Sequence, residues 1–173
     1  MNNIKIPKRF KNISYEKDVS HELQIIIHKQ IKDGNGVYLW GGPGVGKTHI
    51  LYALAVEIQR QNKKVVFLNT SAFLEELRDE FKIEKEEEGL FRRILDFNGI
   101  LLLDDIGAEK ASDWTRDRLY LILNKRYETL RPTIFTSNCD MEKLEKTMGD
   151  RITSRINGMV EIVKKGGEDR RII

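Results

Sequence analysis

Apolar positions recur at two alternating spacings along the chain. Leu23, Ile26, Ile27 and Ile31 fall at helical spacing over residues 20–32, and Asp33-Gly34-Asn35-Gly36 ends that helix as a glycine C-cap would. Val37-Tyr38-Leu39-Trp40 reads as a buried strand. A glycine-rich turn follows, then a helix from Lys47 to Arg60 with Ile50, Leu51, Leu54 and Ile58 on one face. Val65 to Leu68 is a second strand, and Asn69-Thr70-Ser71 supplies N-cap residues for the first of two amphipathic helices, 71–82 and 86–96. Ile100 to Leu103 is a third strand that ends in Asp104-Asp105. The helix 113–129 turns Leu119, Ile122 and Leu123 inward, Thr133 to Thr136 is a strand, residues 141–156 form short helices, and Met159 to Val163 is the last strand. Near-continuous apolar strands between helices predict an α/β fold whose parallel sheet, of about five strands, is covered on both faces.

Composition narrows the classes. A chain of 173 residues, 40% hydrophobic and 33% charged, suits one folded domain with a sizeable core. Cys139 is the sole cysteine, so an internal disulfide is excluded, and His21, His28 and His49 are too scattered to form a zinc spacing. The apolar run Ile100 to Leu103 is far below the roughly 20 residues that span a bilayer. The start, MNNIKIPKRF, lacks the apolar stretch of a signal peptide, so a cytoplasmic protein with no membrane partner is expected. Lys5, Lys8, Arg9, Lys11 and Lys17 make residues 1–19 a basic, irregular linker, held extended early on by Pro7. Thirty basic against 27 acidic residues leave a net charge of +3, too balanced to imply nucleic-acid binding by itself.

Candidate chemistry begins at the first turn. Gly41-Gly42-Pro43-Gly44-Val45-Gly46-Lys47-Thr48 satisfies G-x-x-x-x-G-K-[ST], after a strand and before a helix as the motif requires. Glycines let backbone N–H groups converge on a triphosphate, and the helix start adds its dipole. Lys47 is then placed to reach the β- and γ-phosphates, and the Thr48 hydroxyl to bind Mg²⁺.

Further acids and amides fall at the same sheet edge. Ligands of open parallel sheets sit beyond the carboxyl ends of the strands, which is where Asp104 and Asp105 lie. Asp104 is the candidate partner of Mg²⁺; Asp105 either orients the attacking water or caps the helix beyond Gly107. Thr136-Ser137-Asn138 ends the next strand, where Asn138 either meets the γ-phosphate or, with Asp140, caps the following helix. Arg151 and Arg155 are four apart, hence on one helix face. They either pair with acids such as Asp150 or present Arg155 to a neighbouring subunit's nucleotide.

In combination, Gly41 to His49, Leu101 to Gly107, Asp113-Trp114, Thr136-Ser137-Asn138 and Arg151 to Arg155 resemble the AAA+ ATPases of the initiator and helicase-loader group. The likeness is to the DnaC/DnaI-type module, with IstB near and DnaA more distant. It implies a P-loop NTPase (AAA+) three-layer fold over residues 20–173, with sheet order 5-1-4-3-2, a helical insertion at 71–96 and no C-terminal lid domain. It also implies ATP and Mg²⁺ as cofactors, and ATP hydrolysis that is slow in the isolated chain. A homo-oligomer through the ATP site would offer Arg155 in trans and assemble on single-stranded DNA beside a replicative DNA helicase. Carried over by position, Gly41 to Thr48 is Walker A with His49 beside it, and Asp104 and Asp105 are Walker B. Asn138 becomes the first sensor and Arg155 the finger, so Lys47, Asp104, Asp105, Asn138 and Arg155 form the catalytic set. Gly166-Gly167-Glu168-Asp169-Arg170 makes Arg170 a second sensor, although Glu168 stands where loaders have serine. Ile6-Pro7 and Arg9-Phe10 match the lead-in segment, which makes Phe10 an adenine neighbour.

Loaders carry an N-terminal domain that grips the helicase; the short segment before the first helix here leaves that grip to residues removed from this chain or to a separate chain. Residues 71–96 match the insertion that contacts DNA, yet they carry Glu75, Glu76, Asp79, Glu80, Glu84 and Glu86 to Glu88 against Arg78, Lys82, Lys85, Arg92 and Arg93. Acidic faces repel phosphate, so DNA contact is expected from Arg92, Arg93 and the basic N-terminal segment. Three rivals stand beside the loader: a transposition helper like IstB, a small P-loop nucleotide kinase and a non-hydrolysing adaptor. The kinase would need an acceptor pocket and an arginine-rich lid, and the Asp-Asp and Thr-Ser-Asn strand ends speak against it.

Overall fold

A computed structural model of the chain describes residues 4–83, 89–108 and 112–167. The strands are β1 (Gly36–Trp40), β2 (Val65–Asn69), β3 (Ile100–Asp104), β4 (Thr133–Ser137) and β5 (Val160–Lys164). They form one parallel sheet of order β2-β3-β4-β1-β5. This is the order expected above, counted from the other edge. The helices are α1 (Tyr15–Asp18), α2 (His21–Lys32), α3 (Lys47–Arg60), α4 (Thr70–Ile83), α5 (Leu90–Leu95), α6 (Asp113–Glu128), α7 (Met141–Met148) and α8 (Asp150–Asn157).

Alternation along the strands sorts the core into two layers. Val37, Leu39, Val65, Ile100, Leu102 and Ile134 face Leu23, Ile27, Ile50, Leu51, Leu54 and Ile58 from α2 and α3. Tyr38, Val66, Leu101, Leu103 and Phe135 face the other way, into a cluster with Leu74, Leu77, Ile94, Leu119, Ile122, Leu123, Leu144, Ile152 and Ile156. The sheet is thus buried on both sides, which is why its strands read as unbroken apolar runs.

Two local details differ from the periodicity reading. The N-terminal segment contains a 3₁₀ turn, Lys8–Phe10, and the short helix α1, and it buries Tyr15 and Val19 against the sheet's first layer. The helix expected over 86–96 is α5, Leu90–Leu95, with residues 84–88 outside the described ones. Register decides where the chemistry sits. Leu39 pairs Thr136 and Leu103 pairs Phe135, so Asp104, Thr136 and the end of β1 come level at one edge. Among the described residues no helix is long and apolar enough to cross a membrane.

Candidate functional site

The glycine-rich turn leaves β1 and closes against the start of α3. Gly46, at φ 94°, is the N-cap residue of α3 and offers no side chain to its free N–H groups. A β-carbon at Gly41 would meet the Lys165 carbonyl oxygen at 2.2 Å, so only glycine lets the chain pass there. The helix therefore opens with unshared N–H groups and its positive dipole end aimed at the space beyond the strands.

Lys47 is buried at the head of α3. Its Nζ donates to the carbonyls of Gly41 (2.8 Å) and Gly42 (2.7 Å) and to Asn138 Oδ1 (2.8 Å). The Asn138 amide Nδ2 in turn donates to Asp105 Oδ1 at 2.9 Å. Asn138 thus bridges the P-loop lysine and the second aspartate, while the capping of α7 falls to Asp140, whose Oδ1 accepts from Lys143 N. Asp105 does not cap α6 either; Ser112 does. Asp105 stands at φ 59°, an uncommon conformation for a residue with a side chain, with its N–H donated to Thr136 Oγ1 at 2.9 Å.

Asp104 lies deeper. Its carboxylate accepts from Thr136 Oγ1 (2.6 Å) and from Thr48 Oγ1 (3.0 and 3.2 Å), and its backbone carbonyl accepts from Thr70 Oγ1 (2.9 Å). Burial pushes the carboxyl above the usual range; the two threonine hydrogen bonds and Lys47 pull back, while Asp105 adds to the rise. Thr48 and Asp104 thus pair a hydroxyl with a carboxylate. No group of three or more His, Cys, Asp or Glu able to hold a metal occurs among the described residues. Two oxygen donors fit Mg²⁺, which keeps several waters and takes phosphate oxygens rather than a full protein cage.

Arg9, Phe10, Gly44, Gly46, Lys47, Thr48, His49, Asp105, Thr136 and Asn138 line one cavity of about 380 Å³. Phe10 stacks on Tyr52 (centroids 4.7 Å apart), Tyr52 on Phe67 (4.2 Å), and His49 meets Phe10 edge-on at 5.9 Å. His49 Nε2 also stands 3.3 Å from Asp18 Oδ2, which ties α1 to the cavity wall. Gly42 and Pro43 form the outer bend of the loop, and Val45 is buried beneath it.

Arg155 does not join this group. On α8 it donates from Nε to Asn124 Oδ1 at 2.7 Å and lies over the Tyr127 ring of α6, half-buried. Neither it nor Arg151 pairs with an acid among the described residues; Arg151 lies over Tyr120 instead. Arg170 falls outside the described residues, as do Glu84 to Glu88. Sequence spacing gives Tyr52 and Phe67 no place at the site, and it gives Thr136 no role in fixing Asp104. A hydroxyl at a strand end level with an aspartate was the available signal for Thr136; the ring stack joins three distant segments and has none.

Residues 1–172 match the family described as IstB-like ATP binding protein. The chain is 31% identical over 151 residues to the replicative helicase loader DnaI of Bacillus subtilis (strain 168), covering 80% of this chain and 48% of DnaI. It is 27% identical over 126 residues to the replicative helicase loader DnaC of Escherichia coli (strain K12), covering 72% of this chain and 51% of DnaC. The chain therefore spans about half the length of the curated relatives it matches. A crystal structure of the DnaC helicase loader superposes with a TM-score of 0.77 at 27% identity, over 92% of this chain and all of that one.

Proposed function

The chain belongs to the family of IstB-like ATP binding proteins, and from that premise we propose that it is an ATP-hydrolysing AAA+ module of the helicase-loader kind. The observation that carries this reading is the convergence of Lys47, Asn138 and Asp105 in one chain of hydrogen bonds, beside the Thr48–Asp104–Thr136 cluster, at the mouth of α3. Gly44, Gly46 and the first N–H groups of α3 cradle the phosphates, and Phe10 with Arg9 stands at the adenine end of the cavity. Lys47 exchanges its loop carbonyl partners for phosphate oxygens. Thr48 and Asp104 would hold Mg²⁺, which would supply charge neutralisation to the phosphates. Asp105 orients the attacking water, and Asn138, hydrogen-bonded to both Asp105 and Lys47, senses whether the γ-phosphate is in place. Arg155 acts on the site of a neighbouring copy, so the isolated chain turns over slowly and ATP switches assembly on single-stranded DNA. Residues 20–173 form this module, with residues 1–19 as its linker and 71–96 as its insertion.

The partner follows from the relatives. Both curated matches above are replicative helicase loaders by name, which supports a replicative DNA helicase as partner. The family description names IstB, which the sequence likeness reads as a transposition helper, and so supports a second reading. Calorimetry should find tight ATP–Mg²⁺ binding in the wild type and none in Lys47→Ala; equal binding by the two would overturn the ATP reading. Affinity capture in the presence of ATP should retrieve the helicase, and retrieval of a transposase instead would decide for the second reading.

A further inference from the structure

The helices α6 and α8 share a buried cluster, with Leu119, Ile122 and Leu123 on one and Ile152 and Ile156 on the other. Beside that contact, Tyr120, Asn124 and Tyr127 follow at spacings of four and three and so lie along one side of α6. Asn124 Oδ1 accepts the Arg155 Nε–H at 2.7 Å. The guanidinium carbon stands 5.1 Å from the Tyr127 ring centre and 6.0 Å from that of Tyr120, and Arg151 covers Tyr120 at 4.1 Å. The two guanidiniums hold the Tyr120 phenol below the usual tyrosine range, Arg151 contributing most. Tyr127 is itself fixed from behind: a β-carbon at Gly158 would meet its Cε2 at 2.9 Å. Gly158 has φ −74°, so its smallness serves this contact and not a backbone turn.

An arginine at the surface normally samples many rotamers, and ordering it on assembly would oppose the assembly. Here the side chain already has partners in Asn124 and the rings of Tyr127 and Tyr120. Asn124 takes the Nε–H and leaves the terminal Nη pair out of that bond, the end of the fork that grips phosphate oxygens. Resting on the reading of Arg155 as a finger in trans, we propose that Tyr120, Asn124 and Tyr127 are positioning residues that set Arg155 in the free subunit before a neighbour arrives. Gly158 completes the device by admitting the Tyr127 ring.

Mixed assemblies test this from one side at a time. Subunits carrying Lys47→Ala bind no nucleotide but present Arg155; subunits carrying Arg155→Ala bind nucleotide but present no finger. Mixed together, they regenerate turnover at the shared interface. Asn124→Leu on the Lys47→Ala partner should lower that turnover about tenfold to a hundredfold, with the KM for ATP unchanged, as for a displaced catalytic group. The same change on the Arg155→Ala partner, which has no finger to hold, should leave the mixture as it was. Asn124→Asp keeps the acceptor oxygen and should retain most of the rate, and Gly158→Ala, which crowds Tyr127, should act from the finger side alone. Equal losses from both sides, or none from either in an active mixture, would overturn the positioning roles while leaving the finger intact. An inactive mixture, together with an Arg155→Ala chain that hydrolyses at the wild-type rate, would overturn the finger reading and the positioning roles with it.

Discussion

Asp104 carries opposing demands in a single side chain. It is buried, its oxygens are taken up by Thr48 and Thr136, and its pKa is raised first by burial. A carboxyl whose folded pKa exceeds its unfolded one favours the fold while protonated and loses that contribution as pH rises through the folded value. Once ionised, the carboxylate therefore burdens the fold. Asp104→Asn keeps an acceptor oxygen for the threonines and removes the charge, so the variant should melt above wild type wherever the wild-type carboxyl is ionised. The gap should close as pH falls through the raised Asp104 pKa, and thermal scans across pH would measure it. Mg²⁺-dependent nucleotide binding should weaken in the same variant. At this scale much was legible: Gly41 to Thr48 and Asp104 are read from spacing because backbone geometry and phosphate chemistry leave few residue types able to serve. What spacing could not decide was Asp105 and Asn138 as caps or site groups. That depended on Ser112 and Asp140 taking the caps, a choice made by loop geometry.

Elements were legible wherever burial imposes a period, and less so where a charged side chain occupies an inward position. On α6 the inward stripe of Leu119, Ile122 and Leu123 continues at position 126, where a fully buried arginine stands. Arg126 donates to Thr133 Oγ1 (2.7 Å) and to the carbonyls of Phe97 (3.1 Å), Gly99 (2.6 Å) and Pro132 (2.8 Å). It therefore ties α6 to the loops that enter β3, which ends in Asp104, and β4, which Asn138 follows. Burial pulls its pKa down to about 9, so the guanidinium remains charged at neutral pH. No pattern of apolar residues could reveal this, because a charge at that position reads as solvated surface. Removal of the side chain takes the guanidinium donor from the Gly99 carbonyl, while Pro132 keeps the Leu101 N–H and Phe97 keeps Arg131, and it empties a fully buried volume. Arg126→Ala should therefore destabilise the domain by about 3 kcal/mol or more, measured by urea unfolding. Arg126→Met fills the volume but supplies no donors and should recover only part of the loss.

For the whole molecule, the absence of Arg155 from the lining of the Lys47 cavity bears on the proposed action in trans. Arg155 does not line the cavity that holds Lys47, Thr48, Asp105 and Asn138; it is hydrogen-bonded to Asn124 of α6. If Arg155 is the proposed finger, it serves a second copy, and hydrolysis is then a property of the assembly. Turnover per subunit should then rise with protein concentration and level off once neighbours are in place, while ATP affinity measured on dilute protein stays constant. Arg155→Ala should bind ATP as the wild type does but fall by about 10³-fold or more in the assembled state, the contribution known for such fingers. Its turnover should also lose its dependence on concentration. Steady-state hydrolysis over a wide range of subunit concentrations, paired with sedimentation under the same conditions, checks both statements. A wild-type rate per subunit that is flat across the range where sedimentation shows association would mean that the neighbour contributes nothing to the chemistry.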